Sequence, residues 1–446
     1  MNDPYRDDGF LPPPGPRVLA RAEHGLSRSM VSPNALKVLY RLHHAGFLAF
    51  LVGGAVRDLL LGRRPKDFDV GTNARPQQVR QLFRNARVIG RRFRLVMITF
   101  AEEIVEVATF RCSPEPPDME DGDTADALAP AVEVEEFGTP EEDARRRDFT
   151  VNGLFYNIAD FTIIDHVGGL GDLDRRIIRS IGPARQRFGE DPVRMMRAIE
   201  YSARLGFALD DEAAGAIAEL RGEIRRAAPA RIAYELGESL CGGQSEPIFR
   251  GLDETGLLEL IGPEMALAAR ASGPVRLWPL LAAGDAAVQA GERPPEDALL
   301  GVLLLPLFVP ALERALASGV AGGEAERAAR DLWAEVARRL CFSHYRTHVL
   351  RSAYYLVARM LLSPRSAKQV VRIVRHEAFG VASWLARLLA ATSEPFRPAL
   401  ERWRVAAARV AEGLSPLPEA GEAPARPARH RRRRRRRRPG AAREGS

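Results

Sequence analysis

The sequence predicts an α+β protein: a small α/β head, an all-α neck and body after it, and a disordered arginine-rich C-terminus. Three observations carry this. Over the first 180 residues, short apolar runs alternate with helical spacing and are punctuated by Gly and Pro. From about Asp191 to Ala411 the apolar spacing is helical with few period-two alternations. Near the end, His430 is followed by eight consecutive arginines, a run with no apolar surface and strong self-repulsion.

A chain of 446 residues is long enough for two to four units, each with its own core. With 46% apolar and 28% charged residues, the composition is that of a folded soluble chain and excludes a membrane or fully disordered one. No stretch reaches the roughly 18 apolar residues a spanning helix needs; the longest, residues 298–312, is interrupted by Pro306 and Pro310 and predicts a buried helix. The start, Met1-Asn2-Asp3-Pro4, has no basic segment followed by an apolar core, so a cytoplasmic protein with no membrane contact is expected. Cys112, Cys241 and Cys341 are far apart and odd in number, which argues against a disulfide framework or a zinc site and predicts core thiols.

Residues 1–30, with Pro12-Pro13-Pro14 and Gly15, read as a flexible leader. Ser32 then caps a helix with Pro33 at its first position, and Gly46 ends it. A buried strand follows over 47–52, then Gly53-Gly54, then a short helix over 55–61 that Gly62 stops. The spacing predicts a strand over 66–70, a helix over 76–83, and two strands over 94–100 and 104–110 joined as a hairpin around Glu102-Glu103. Residues 113–143, rich in Pro and acids, predict a mobile surface loop. Regular pattern resumes over 144–157, and a strand is expected over 162–165. The expected units are therefore a leader (1–30), a head (31–180), a helical neck (181–265), a helical body (266–412) and a basic tail (413–446).

Chemistry concentrates in the head. Two glycines between a strand and a helix, Gly53 and Gly54, let backbone amides approach a phosphate, and Arg57 one turn on favours negative charge there. Asp67 and Asp69 stand two apart on the expected strand, which places both carboxylates on one face of the sheet. Such a pair can share two divalent cations, and magnesium suits oxygen ligands and a phosphate substrate. Glu106 lies amid the apolar run Ile104-Val105-Glu106-Val107 and is costly to turn inward unless it meets a cation. Asp148 competes with it as a third carboxylate.

The segments Gly53-Gly54-Ala55-Val56-Arg57-Asp58 and Asp67-Phe68-Asp69 together resemble the signature of polymerase-β-type nucleotidyltransferases. More closely, they resemble the class holding bacterial poly(A) polymerases and CCA-adding tRNA nucleotidyltransferases. Arg145-Arg146-Arg147-Asp148-Phe149-Thr150-Val151-Asn152 is similar to that class's nucleotide-holding block, and Glu190-Asp191-Pro192-Val193-Arg194 to its base-reading block. Pro229-Ala230-Arg231-Ile232 matches its helical middle. Residues 88–95 look like a segment typical of the poly(A) branch, although Met97 stands where that branch usually has His, a departure expected to touch no metal ligand.

The resemblance implies a palm-like head and a two-magnesium transfer of AMP from ATP to an RNA 3′-hydroxyl. Asp67 and Asp69 would hold the ions with Glu106 assisting. Gly53, Gly54, Arg57 and Arg147 would hold phosphates, and Asp148 and Asn152 the ribose. Asp191 and Arg194, three apart on one helix face, would read the adenine, with Arg197 one turn further facing the same way. CCA addition to tRNA shares every one of these blocks and is the first alternative. A non-catalytic RNA-binding protein on the same fold is the second, and the intact aspartate pair argues against it.

Charge adds a partner. Residues 421–446 contain 11 Arg against Glu422 and Glu444 and so carry +9, which leaves −2 over the preceding 420 residues of a chain whose total is +7. Arg431, Arg432, Arg433, Arg434, Arg435, Arg436, Arg437 and Arg438 are therefore expected to meet RNA phosphates without sequence choice. No protein partner is legible.

Overall fold

The structure, a computed structural model, describes residues 15–90, 95–112, 137–362, 366–413 and 415–416. The arginine run 431–438, the segment 91–94 and residues 113–136 of the expected acidic loop lie outside the described residues.

The head is built on one eight-stranded sheet. Its strands are β1 (Arg17–Leu19), β2 (Ala49–Val52), β3 (Asp69–Thr72), β4 (Ala86–Ile89), β5 (Leu95–Thr99), β6 (Ile104–Thr109), β7 (Leu154–Asn157) and β8 (Ile163–Asp165). Spatial order is β1-β8-β7-β2-β3-β6-β5-β4, antiparallel throughout except for the parallel pair β3 and β6. Central β2 is buried at all four positions, as a strand covered on both faces must be. On one face Leu51 joins Val38, Leu39 and Leu42 of helix α1 (Pro33–His44) in the main core. On the other, Phe50 and Val52 pack with Phe110, Ala144 and Phe155 in a separate apolar cluster.

Several elements form where local chemistry asks for them. The Ser32 side chain accepts from the Asn34 and Ala35 amides and Pro33 opens α1, after which Gly46 takes a φ of +84°. The β5–β6 hairpin turns at 100–103 as expected. Helices α2 (Gly54–Leu60) and α3 (Pro76–Leu82) follow β2 and β3.

Four expectations are corrected. The second expected strand begins at Asp69 rather than at residue 66, because its partner β2 ends at Val52, directly opposite Asp69, and leaves residues 66–68 nothing to pair with. Part of the expected leader is structured: β1 pairs with β8, and Leu26 is fully buried. The expected loop ends early, since α4 (Pro140–Arg146) starts behind a capping box in which Thr139 accepts from the Glu142 amide and Glu142 reaches back to Thr139. Cys241 and Cys341 are exposed rather than core residues.

Helices dominate the rest. α5 (Gly169–Arg175), α6 (Ala184–Glu190), α7 (Val193–Leu205), α8 (Asp211–Leu220) and α9 (Pro229–Cys241) pack against the head. Between them a two-residue parallel pair joins Ile177–Ile178 to Ala208–Leu209. Further helices from Ser245–Glu254 to Arg397–Ala411 continue the same apolar core. Among the described residues no single helix is long and apolar enough to cross a membrane. The apolar run with internal prolines forms two buried helices, Glu296–Val302 and Leu305–Ser318, bent by 81°.

Candidate active site

The glycine turn and the carboxylates meet at one end of β2. Gly53 has φ +70° and ψ −137°, a region open to glycine alone, and a Cβ there would stand 2.9 Å from Arg147 Nη1. The turn therefore serves close approach of a guanidinium. Its own amide donates to the Leu154 carbonyl at 3.1 Å, so of the two amides expected to face phosphate, that of Gly53 is committed to the sheet. The Gly54 amide opens α2, where first-turn N–H groups have no acceptor within the helix. Gly53→Ala is expected to cost ~1–3 kcal/mol of stability through backbone strain and displacement of Arg147, read as a lowered urea midpoint; an unchanged midpoint would refute that account.

Asp69 heads β3. The parallel register Val70↔Val107 sets Glu106 of β6 beside it, and Asp67 lies just upstream. Burial pushes the Asp69 carboxyl above its ordinary range, Arg147 opposes the rise and Asp67 adds to it. Burial likewise raises Glu106, with Asp69 and then Asp67 contributing. Asp69 and Glu106, partly buried, therefore repel each other, and the exposed Asp67 adds to both. Among the described residues no three such side chains converge tightly enough to hold an ion as they stand. The donor set nevertheless fits a hard divalent cation, whose charge would relieve the repulsion. Met97 is the cross-strand partner of Glu106, so the departure from the family's usual His touches the neighbourhood of a candidate ligand after all.

Beneath this space runs a buried polar chain. Arg57 is 1% exposed; its Nε and Nη2 bond Asp58 Oδ1 at 2.8 and 2.7 Å, its Nη1 bonds Asn152 Oδ1, and it lies over the Tyr201 ring at 5.1 Å. Three of its five N–H donors are engaged in this way, and the guanidinium also lines the cleft described below. Asn152 donates onward to Asp148 Oδ1 at 3.0 Å, and the Phe149 amide bonds the same oxygen. Arg197 grips Asp148 Oδ2 through Nε and Nη2, and also reaches Glu235 and the Tyr201 hydroxyl. Burial works to raise the Asp148 carboxyl, but Arg197 and these hydrogen bonds hold it below its ordinary range. Four donors fill its acceptor positions. Asp148 thus positions its neighbours and is not available as a third member of the acid cluster, and Arg197 faces it rather than an open base site.

Arg147 lies above the glycine turn. Asp143, 2% exposed, holds its Nε and Nη2 at 3.3 and 3.0 Å, and the guanidinium covers the Phe155 ring. Sequence reasoning left Asp143 in the acidic loop, yet its i,i+4 spacing to Arg147 behind the Thr139 capping box was a readable signal.

Asp191 and Arg194 do come together, at 3.6 Å, but not on one helix face. Asp191 is the extended residue between α6 and α7, with φ −139° and ψ 92°, because Pro192 drives the preceding residue out of the helical region. Arg231 of α9 holds its Oδ2 at 2.8 Å.

A cleft of about 180 Å³ opens here, lined by Gly54, Arg57, Asp67 and Asp69 from the head and Arg197 and Glu235 from the helices. The Lys66–Glu238 pair, at 2.6 Å, bridges head to α9. Glu235, Glu238 and Tyr234 of α9 escaped sequence reasoning; Glu235 pairs with Arg197 across 38 positions and Glu238 with Lys66 across 172, so neither has a local signature.

Residues 49–179 match the family described as "Poly A polymerase head domain", and residues 206–268 the one described as "Probable RNA and SrmB- binding site of polymerase A". The chain is 39% identical to poly(A) polymerase I of Salmonella typhi over 381 residues, covering 84% of this chain and 81% of that protein. The CCA-adding enzyme of Bacillus subtilis is 36% identical over 225 residues, 50% of this chain and 54% of its own. Among solved structures, the Bacillus stearothermophilus CCA-adding enzyme in complex with CTP aligns with TM-score 0.58 and 27% identity over 86% of this chain and 83% of that one.

Proposed function

Since the chain belongs to the poly(A) polymerase family, it is a nucleotidyltransferase that polyadenylates RNA, and we propose that the cleft between glycine turn and helices carries out the transfer. The observation that supports this most directly is the cluster Asp67, Asp69 and Glu106 near that turn, in which Arg147 opposes the charge of Asp69 and Lys66 that of Asp67. An RNA 3′-hydroxyl attacks the α-phosphorus of ATP, the new phosphodiester forms as the α–β bond breaks, and pyrophosphate leaves. Asp67, Asp69 and Glu106 would hold magnesium, which would supply activation of the hydroxyl and neutralisation of the leaving pyrophosphate.

The chain's own residues do the rest. Arg147, fixed by Asp143, offers its Nη1 side to the phosphates together with the Gly54 amide. The run Arg57–Asn152–Asp148–Arg197 holds the head against α7 so that Arg147 and the carboxylates keep their spacing. Asp191 and Arg194, with Arg231 behind them, present an acceptor and donors to the adenine edge. The cleft is below the usual ligand-site range of ~300–1,000 Å³, so ATP enters by parting the exposed Lys66–Glu238 pair. The arginine run 431–438 adds sequence-independent hold on RNA.

CCA addition is the second reading, favoured by the solved structure noted above; its curated relatives reach half of this chain, against 84% for the polyadenylating ones. Purified protein with magnesium, given an unstructured oligonucleotide or a tRNA lacking CCA and ATP or CTP, separates the two. Long ladders from ATP alone on the oligonucleotide are expected; growth of the tRNA by a few residues only, with CTP required, would overturn the polyadenylation reading.

A further inference from the structure

A second, larger cleft of about 1,410 Å³ opens beside α4. Arg145 of α4 lines it, whereas Arg147 at the helix end turns to the glycine turn. Arg187 of α6, also in its lining, donates to the Arg146 and Arg147 carbonyls at 2.6 and 2.9 Å.

Its lining is rich in arginine. Arg145, Arg175, Arg179, Arg185 and Arg187 stand beside Asp210, Asp211 and Glu212, and four of the five pair with acids: Arg145 with Glu141, Arg179 with Asp172 and Asp210, Arg185 with Glu219 and Arg187 with Glu190. Of the lining acids, Asp210 accepts from the Ala213 amide and from Arg179, and Glu212 from the Ala184 amide. The Arg145–Glu141 pair is exposed on both sides, so solvent weakens it and a phosphate displaces it easily. Ser180 and Arg187, 6% and 8% exposed, line the same cleft, and Ser180 Oγ and Arg187 Nε have no hydrogen-bond partner. A buried donor left without a partner asks for a ligand or water that completes it. His166, also in the lining, leaves Nδ1 unpartnered in the same way.

The shape narrows the ligand. The volume exceeds that of a site for one nucleotide, and no Phe, Tyr or Trp lines it, so bases have nothing to stack on. What remains is recognition of a chain of phosphates by arginine forks and hydroxyl donors. Arg145 in this cleft and Arg147 at the glycine turn are two residues apart, so a strand whose 3′ end lies at the carboxylates can pass into this cleft within a few nucleotides.

We propose that this second cleft binds the phosphodiester backbone of the RNA strand a few nucleotides upstream of its reacting end, without sequence choice. The proposal rests on the adenylyl-transfer reading. The site would set how firmly the growing tail is held between additions.

The full chain carrying Arg175→Glu and Arg185→Glu, both exposed and outside the catalytic cleft, tests it, with the double Ala variant as a milder second. AMP addition is measured on a short oligoadenylate of about four nucleotides and a long one of about twenty. The expected result is a roughly tenfold higher KM for the long RNA, with kcat, the KM for ATP and the short primer's KM little changed, and a salt slope of RNA affinity shallower by about 1–2. Unchanged KM on both primers together with an unchanged salt slope would overturn the proposal. So would a rise confined to the KM for ATP, which would give the cleft to a free triphosphate. RNA affinity by fluorescence anisotropy is read alongside: if the parent adds no AMP to either primer while the variants still lose long-RNA affinity, the transfer reading fails and the cleft stands.

Discussion

Asp69→Asn is expected to lower AMP transfer by roughly a thousandfold, equivalent to about 4 kcal/mol of transition-state stabilisation, while making the metal-free protein more stable at neutral pH. The second half follows from the sign of the shifts. Burial lifts Asp69, with Arg147 opposing and Asp67 adding, and burial lifts Glu106 with Asp69 and Asp67 adding. Both carboxyls therefore hold their proton more tightly folded than unfolded. Between the ordinary carboxylate range and the raised folded values, the folded protein binds the more protons, so stability falls as pH rises through that interval and the whole penalty stands above it. Removing one charge removes part of the penalty. In chelator, the Asn variant should unfold at higher denaturant than the parent at neutral pH, and the gap should close in acid below the unfolded carboxylate pKa of about 4. Magnesium should raise the parent's Tm and leave the variant's nearly unmoved. Transfer surviving within tenfold of the parent, or an undiminished magnesium shift, would remove Asp69 from the centre.

Arg57→Met is the second large effect, and it separates two roles that the motif alone leaves indistinguishable. A phosphate ligand, once lost, raises the KM for ATP and leaves the fold alone. Arg57 is 1% exposed, holds Asp58 and Asn152, and lies against Tyr201. Its loss leaves Asp58 with an unpaired charge and Asn152 Oδ1 without a donor, and breaking such a buried pair from one side costs about 3–5 kcal/mol. The urea midpoint should fall accordingly. Lysine should not rescue, because one ammonium cannot meet Asp58 and Asn152 at once. A stable variant with only a raised KM for ATP would return Arg57 to the phosphates.

Much of the head was legible because its signals are local. Ser32-Pro33 announced α1, Glu102-Glu103 the hairpin, and Gly53-Gly54 the turn, each through backbone chemistry that acts within a few residues. The acids were legible only as residue types: the spacing argument put Asp67 and Asp69 on one strand, whereas β3 begins at Asp69 with Asp67 ahead of it, and Glu106 stood out as a charge in an apolar run. Direction was not. Whether Arg57 turns outward to a ligand or inward to Asn152 depends on a partner 95 positions away. The Asp148–Arg197 grip spans 49 positions and the Arg197–Glu235 contact 38, and neither end carries a mark of the other. Asp191 is a different case. Pro192 was there to say that the residue before it leaves the helix, and the three-residue spacing to Arg194 was given precedence over it.

The run Asp58–Arg57–Asn152–Asp148–Arg197–Glu235 also bears on how such proteins can be recombined. A fragment ending near residue 180 would retain all three metal-candidate carboxylates, yet it would strip Asp148 of Arg197 and expose the Phe149 face that packs on Tyr201. The head is therefore not a portable module. A crossover between two relatives that preserves the site has to fall beyond α9, so that α7 and α9 travel with the sheet they complete. The inheritable unit is larger than the sheet that carries the acids.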